Sequence, residues 1–264
     1  MEKRDPELRL FESTEELSTE LADYVAQISD AAVKERGAFA LVLSGGNLIY
    51  LLGKLTKPPY VKTLDWSKWH VFWAEENVVA KKHPNSNYKQ AKEVLLSKVP
   101  IYPAHVISVS HGSSGESSAE EYEFSIRQLV RNRTVAVSPS SDCPRFDLIL
   151  LLLGTDGQVA SLFPNHPVLE EESQWVAWVC SSGAPRESVT LTLPVINSAA
   201  NVAIIATGSD VAVPFASAVR DRLPQGWGSH PAQMVSPRDG NLVWFADASA
   251  ALLLPGKNIA MSGS

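Results

Sequence analysis

At 264 residues, with 45% hydrophobic side chains, the chain can bury a large core as one sizeable α/β domain or two small ones. A formal net charge of −6 argues against a general nucleic-acid or anionic-membrane partner, and the longest apolar run is far short of a membrane span. Two cysteines, Cys143 and Cys180, do not make a disulfide scaffold and read as free thiols in a reducing compartment. The first residues, MEKRDPELRLFES, carry neither an apolar h-region nor a transit-peptide bias, so the expected compartment is the cytosol.

Ser13 with Glu16 forms a capping box before a long helical pattern. Leu17, Leu21, Tyr24, Val25, Ile28 and Ala32 recur at helical spacing on one face, and Gly37 ends the helix. Ala38 to Leu43 is a short β-like run, followed by Ser44-Gly45-Gly46 and a helix through Leu48, Leu51, Leu52 and Leu55. Two glycines at a strand-to-helix turn let the backbone approach a phosphate, or simply make the turn. Trp66 to Trp73 reads as a strand whose tryptophans suit core and edge packing better than base stacking. Glu75-Glu76-Asn77 follows it, as a solvated loop or as ligand and acid–base groups.

His83 to Asn87 is a loop, with Ser86 or Asn87 capping a helix that ends near Lys98. Val106 to Val109 is a short strand, and His111 to Ser118 a Gly/Ser-rich linker too short to separate domains. Ser118 and Glu121 form a second capping box, opening a helix through Leu129. Phe146 to Leu153 is nearly all apolar, the composition of a strand buried on both faces of a parallel sheet. It stops at Gly154-Thr155-Asp156-Gly157, and QVASLF then reads as a short helix. Such a joint presents polar groups at the carboxyl edge of the sheet, where open α/β folds bind ligands.

Further on, Trp175 to Cys180 and Val189 to Leu193 read as strands, and Pro194 to Asn197 as a brief helix. Val202 to Thr207 is a buried strand before a helix from about Asp210 to Arg222. Leu242 to Phe245 is a last strand before an Ala/Leu-rich helix. Strands alternating with helices predict a Rossmann-like α/β fold: a twisted, mainly parallel sheet with helices on both faces and a small antiparallel subregion around 175–193. One domain over residues 1–264 is expected.

Six segments carry a family resemblance: LSGGN at 43–47, WSKWHVFWAEENVV at 66–79, HPNSNYKQAKEVLLSKVP at 83–100, FDLILLLLGTDGQVASLFPNHP at 146–167, TLTLPVINSAANVAIIATG at 190–208 and LVWFADASAA at 242–251. In this order they resemble 6-phosphogluconolactonases of the glucosamine/galactosamine-6-phosphate isomerase superfamily, most of all the plant cytosolic type. The resemblance implies hydrolysis of 6-phosphoglucono-1,5-lactone to 6-phosphogluconate in the oxidative pentose phosphate pathway, without metal or organic cofactor. It implies a catalytic role for Asp156 and the residue at 158. It also implies that Ser44, Gly45, Gly46, Glu75, Glu76, Asn77, Asn87, Gly157, Ser188 and Val211 occupy substrate-binding positions. A sugar-phosphate isomerase or deaminase is a third reading, against which the lactonase-type C-terminal motifs count.

The chain departs from the family pattern where the chemistry is done. The family's Asp-Gly-His is Asp156-Gly157-Gln158, and its Asp-Glu-Arg is Glu75-Glu76-Asn77. Its Arg-Ile-Thr is Ser188-Val189-Thr190, with Arg186 displaced by two positions, and a lysine after Thr-Gly is Val211. A glutamine amide can orient a water but cannot deprotonate it. Asn, Ser and Val cannot replace charge-assisted hydrogen bonds to phosphate. The expectation is impaired lactonase activity, the alternative a non-catalytic sugar-phosphate-binding or regulatory protein. The expected partners are a phosphosugar or its lactone, with no nucleic acid and no membrane, and a protein among pathway enzymes or homologues.

Overall fold

A computed structural model describes residues 5–112, 114–180, 186–220 and 230–255. Its strands in chain order are β1 (Glu7–Phe11), β2 (Phe39–Leu43), β3 (Trp69–Trp73), β4 (Glu75–Asn77), β5 (Ala136–Val137), β6 (Pro144–Arg145), β7 (Leu148–Leu152), β8 (Val176–Cys180), β9 (Glu187–Leu191), β10 (Asn201–Ala206) and β11 (Asn241–Asp247). Six of them form one sheet in the order β1-β11-β10-β7-β2-β3, with every neighbouring pair parallel. β7 lies inside it, with Leu41 opposite Leu148 on one side and Leu150 opposite Ala203 on the other. Leu148 to Leu151 are fully buried, so both faces of the sheet are covered, as the unbroken apolar run predicts.

The chain moves outward in one direction from β2 to β3 and in the other from β7 through β10 to β11. The order therefore reverses between β2 and β7, and a crevice opens beyond their carboxyl ends. The helix Thr14–Arg36 packs on β1, β2 and β11. Ser13 caps it by accepting the Glu16 N–H, and Gly37 ends it in the left-handed region at φ 74° while donating to Val33 O. A second, antiparallel sheet, β4-β9-β8, covers the expected subregion and adds a strand that reads from sequence as a loop, Glu75–Asn77. β5 and β6 form a two-stranded ribbon.

Several local expectations are corrected. No local pattern marks β1; its five residues at the sheet edge become a strand by pairing with β11. Trp66–Lys68 is a 3₁₀ turn, supported by the Ser67 hydroxyl donating to Asp65 at 2.6 Å, so the strand begins at Trp69. Val106 to Val109 is not a strand beyond one bridge to Val71. The helix Gly115–Arg131 starts four residues early: Ser114 caps it in a reciprocal box with Ser117, and Ser118 already lies inside, donating to Ser114 O. The helix after Ser86 runs from Asn87 to Ala91 and continues as a wider turn over Lys92–Leu96. QVASLF is not a helix: Val159 bridges Leu162, and Ala160 has φ 50°. Burying Val159 and Leu162 outweighs one helical turn, which nucleates poorly. After β11 the chain turns through residues 248–255 instead of forming a helix, with the Asp247 carboxylate accepting the Ala250 and Gly208 N–H groups. The expected helix from Asp210 is a 3₁₀ turn, Ser209–Val211, and then Ala212–Arg220; Arg222 lies outside the described residues.

Candidate active site

The crevice at the strand reversal is a cleft of about 500 Å³. Its floor comes from the ends of β2 and β7: Gly45 and Gly46 follow β2, and Leu152, Leu153 and Gly154 end β7. Gln158 and Ser161 come from the loop after β7, Glu75 and Asn77 from β4, and Arg186 and Ser188 from β9 and its approach. Two strand ends of the parallel sheet and the small antiparallel sheet thus bring together residues scattered over more than half the chain.

Each piece is held by a specific contact. The Asn87 amide sits where a side chain on Gly45 would be, since a Cβ there would lie 2.0 Å from Asn87 Oδ1. Asn87 Nδ2 donates to Glu75 O at 3.0 Å, tying β4 to the turn after β2. The loop after β7 closes through Gly154 N–H to Gln158 O at 2.8 Å, and the Gln158 side chain lies over Gly154, whose missing Cβ makes room. Ser161 N–H donates to Thr190 Oγ1 at 3.2 Å, fastening that loop to β9. Asn77 stands opposite Ser188 in the β4–β9 ladder, and its amide donates to Asn85 O at 2.7 Å.

The adjacent glutamates have opposite fates, because successive side chains of a strand point to opposite faces. Glu75 lines the cleft and accepts the Gly45 N–H at 3.1 Å. Burial pushes its carboxyl above the ordinary 4.5; the Gly45 N–H and nearby Ser44 pull it down less, and the Glu76 charge adds to the rise. Glu76 is 3% exposed and faces away from the cleft. Its carboxylate accepts the N–H groups of Asn77, Asn87 and Tyr88 at 2.8–2.9 Å and lies 3.3 Å from the Ser86 hydroxyl. Burial raises its pKa too, and those backbone N–H groups oppose the rise.

Of the residues expected at the site, Gly45, Gly46, Glu75, Asn77, Asn87, Gln158 and Ser188 line the cleft. Ser44 is buried just beneath it, and the Gly45 N–H, a candidate phosphate donor, is occupied by Glu75. Asp156 is exposed, and its carboxylate accepts the Gln158 N–H at 3.0 Å in a local turn. Gly157, at φ 85°, lies against the His230 ring, whose Nδ1 is 3.0 Å from Asp156 O. Asp156, Gly157, Glu76 and Val211 do not line the cleft: Asp156 and Gly157 sit in the turn beside it, Glu76 anchors the helix start, and Val211 is an apolar side chain only 5% exposed. Arg186 does line it, although the sequence marks it only as an arginine displaced by two positions. The strand period of two supplied the signal, because residues 186 and 188 share one face.

What can this arrangement do? Glu75 and Arg186 are the only ionisable side chains among the described residues lining the cleft. The cleft therefore offers one carboxylate able to move a proton, one guanidinium able to hold an anion, and neutral amide and hydroxyl groups around them.

The family model described as glucosamine-6-phosphate isomerases/6-phosphogluconolactonase matches residues 12–244. The chain is 56% identical over 246 residues to a protein of Arabidopsis thaliana named "Probable 6-phosphogluconolactonase 1", covering 92% of both chains. It is 54% identical over 259 residues to "Probable 6-phosphogluconolactonase 2" of Oryza sativa subsp. indica, covering 97% of this chain and 92% of the relative. A solved 6-phosphogluconolactonase from Trypanosoma cruzi superposes with a TM-score of 0.81 over 97% of this chain and 99% of its own, at 23% identity, and so shares the fold. Among the described residues no helix is long and apolar enough to cross a membrane. The chain belongs to the glucosamine-6-phosphate isomerase/6-phosphogluconolactonase family.

Proposed function

We propose that this chain hydrolyses 6-phosphoglucono-1,5-lactone to 6-phosphogluconate in the cytosol, more slowly than family members that keep a histidine at the position of Gln158 and cations at those of Asn77, Ser188 and Val211. The observation that carries this is the meeting of Gly46, Gln158, Ser188 and Arg186 in one cleft at the strand reversal. Arg186 faces the phosphate in place of the absent cations, Gln158 and Ser188 orient the lactone or its water, and no cofactor takes part. Position 158 lacks a base of the kind worth about 10²–10⁴ in rate, and each missing charged hydrogen bond costs roughly 1.5–3 kcal/mol. Turnover of freshly made lactone by the purified protein, corrected for spontaneous hydrolysis, tests the proposal. The expected rate is measurable but well below an active relative's, and no excess over the spontaneous rate overturns it.

A second reading has one observation in its favour: Gln158, at the family's histidine position, cannot titrate. On that reading the protein binds a phosphosugar without turning it over and acts as a regulatory partner of an active homologue or a pathway dehydrogenase. The signature would be a spontaneous-only rate together with a rise in melting temperature on adding 6-phosphogluconate.

A further inference from the structure

We propose that Glu75 is the general base of this cleft and does the proton transfer that Gln158 cannot. The inference deepens the lactonase reading and rests on it. Glu75 is the only acid or neutral base among the described residues lining the cleft, which it shares with Gln158 and Arg186. The Gly45 N–H at 3.1 Å fixes its carboxylate from the turn after β2, and Asn87 holds its backbone. Ser44 and Gly45 lie on the β2 side, the Glu76 charge is turned away on the same strand, neutral Asn87 comes from the helix, and Arg186 stands at the approach to β9. Burial holds the carboxyl above its ordinary range, which brings it nearer neutrality and makes it a better proton acceptor than an exposed glutamate.

Glu75 takes a proton from a water while the water oxygen bonds to the lactone carbonyl carbon and the carbonyl electron pair moves onto its oxygen. As the carbonyl re-forms, the ring carbon–oxygen bond breaks and its electron pair leaves on the ring oxygen. That oxygen takes the proton from Glu75 and becomes the free hydroxyl. The new carboxylic acid loses its own proton to solvent. Glu75 returns as carboxylate, and one water has been consumed.

The test is the pH profile of kcat and KM for wild type, Glu75→Gln and Glu75→Asp, with lactone made in place and the spontaneous rate subtracted. Glu75→Gln keeps an acceptor for the Gly45 N–H, and thermal unfolding checks that it folds. The expected result is a fall in kcat of about 10²–10⁴ with KM nearly unchanged, the loss of the acid limb, and a smaller fall for Glu75→Asp. The wild-type acid limb is expected above the ordinary carboxyl value. Glu75→Gln within about tenfold of wild type, or an acid limb that persists in it, overturns the base role and leaves the lactonase reading standing. A wild type no faster than spontaneous hydrolysis overturns both. If Glu75→Gln does not fold, a wild-type acid limb at or below the ordinary carboxyl range overturns the base role by itself.

Discussion

Glu75 combines a place in the cleft with a cost in stability. Its folded pKa lies above 4.5 because burial disfavours the charge. Its contribution to stability is therefore fully present below the unfolded value and is lost as pH rises through the folded one. Glu75→Gln should gain stability relative to wild type as pH rises from about 4.5 to neutrality, measured as the difference in melting temperature across that range. Arg186 has the converse role, a cation without a bulky packing duty. Arg186→Ala should raise KM roughly 10- to 150-fold, the loss of a charged hydrogen bond of about 1.5–3 kcal/mol, with little change in melting temperature. Gly45 is constrained by the Asn87 amide 2.0 Å from its would-be Cβ. Gly45→Ala should cost about 1–3 kcal/mol by overpacking, seen in urea unfolding, whereas Gly53→Ala, whose Cβ would meet nothing within 4 Å, serves as the mild control.

At the scale of elements, β4 is the piece that makes the site. Three residues would not hold as a strand alone; they pair with β9 through Glu75–Thr190, Glu76–Val189 and Asn77–Ser188. Their alternation turns Glu75 into the cleft and Glu76 into the start of the helix Asn87–Ala91. There Glu76 satisfies backbone donors that would otherwise be buried without partners. Glu76→Ala should cost at least about 1–3 kcal/mol and also reduce kcat/KM, because the same helix carries the Asn87 that fixes Gly45 and Glu75. Chemical unfolding and kinetics on one preparation check both effects. A stability loss without any kinetic loss would separate the helix from the site. The loop after β7 is a comparable case, held to β9 by Ser161 and Thr190 where a free helix was expected.

For the whole molecule, the site is a meeting point of the parallel sheet and the antiparallel one, so its residues act as a unit. Gln158→His alone should raise turnover by less than about tenfold, because an imidazole there still faces a cleft with one cation. Adding Asn77→Arg and Ser188→Arg should gain much more, since both positions line the cleft. Val211→Lys is omitted because Val211 is nearly buried and outside the lining. Rates of the wild type, the single and the triple variant on fresh lactone decide this. A single substitution matching the triple would show that the cations matter less than their neighbourhood suggests.

The sequence by itself determined the parallel sheet, because the solid apolar run from Phe146 to Leu153 has no stable place except between two covered faces. It also determined the first helix, whose cap, apolar stripe and terminal Gly37 are local signals. The family could be recognised from ordered motifs, and the expected site positions mostly from the turns that follow strands. Only the tertiary structure decided which of two adjacent glutamates faces the cleft. That depends on β4 joining β9, a pairing between residues more than a hundred positions apart that no local pattern encodes. The same pairing brings Arg186 to the site, whereas Val211, in the turn after β10, is buried outside the lining. Likewise QVASLF, whose local pattern suits a helix, becomes a buried loop, because its apolar residues gain more from the core than from one isolated turn.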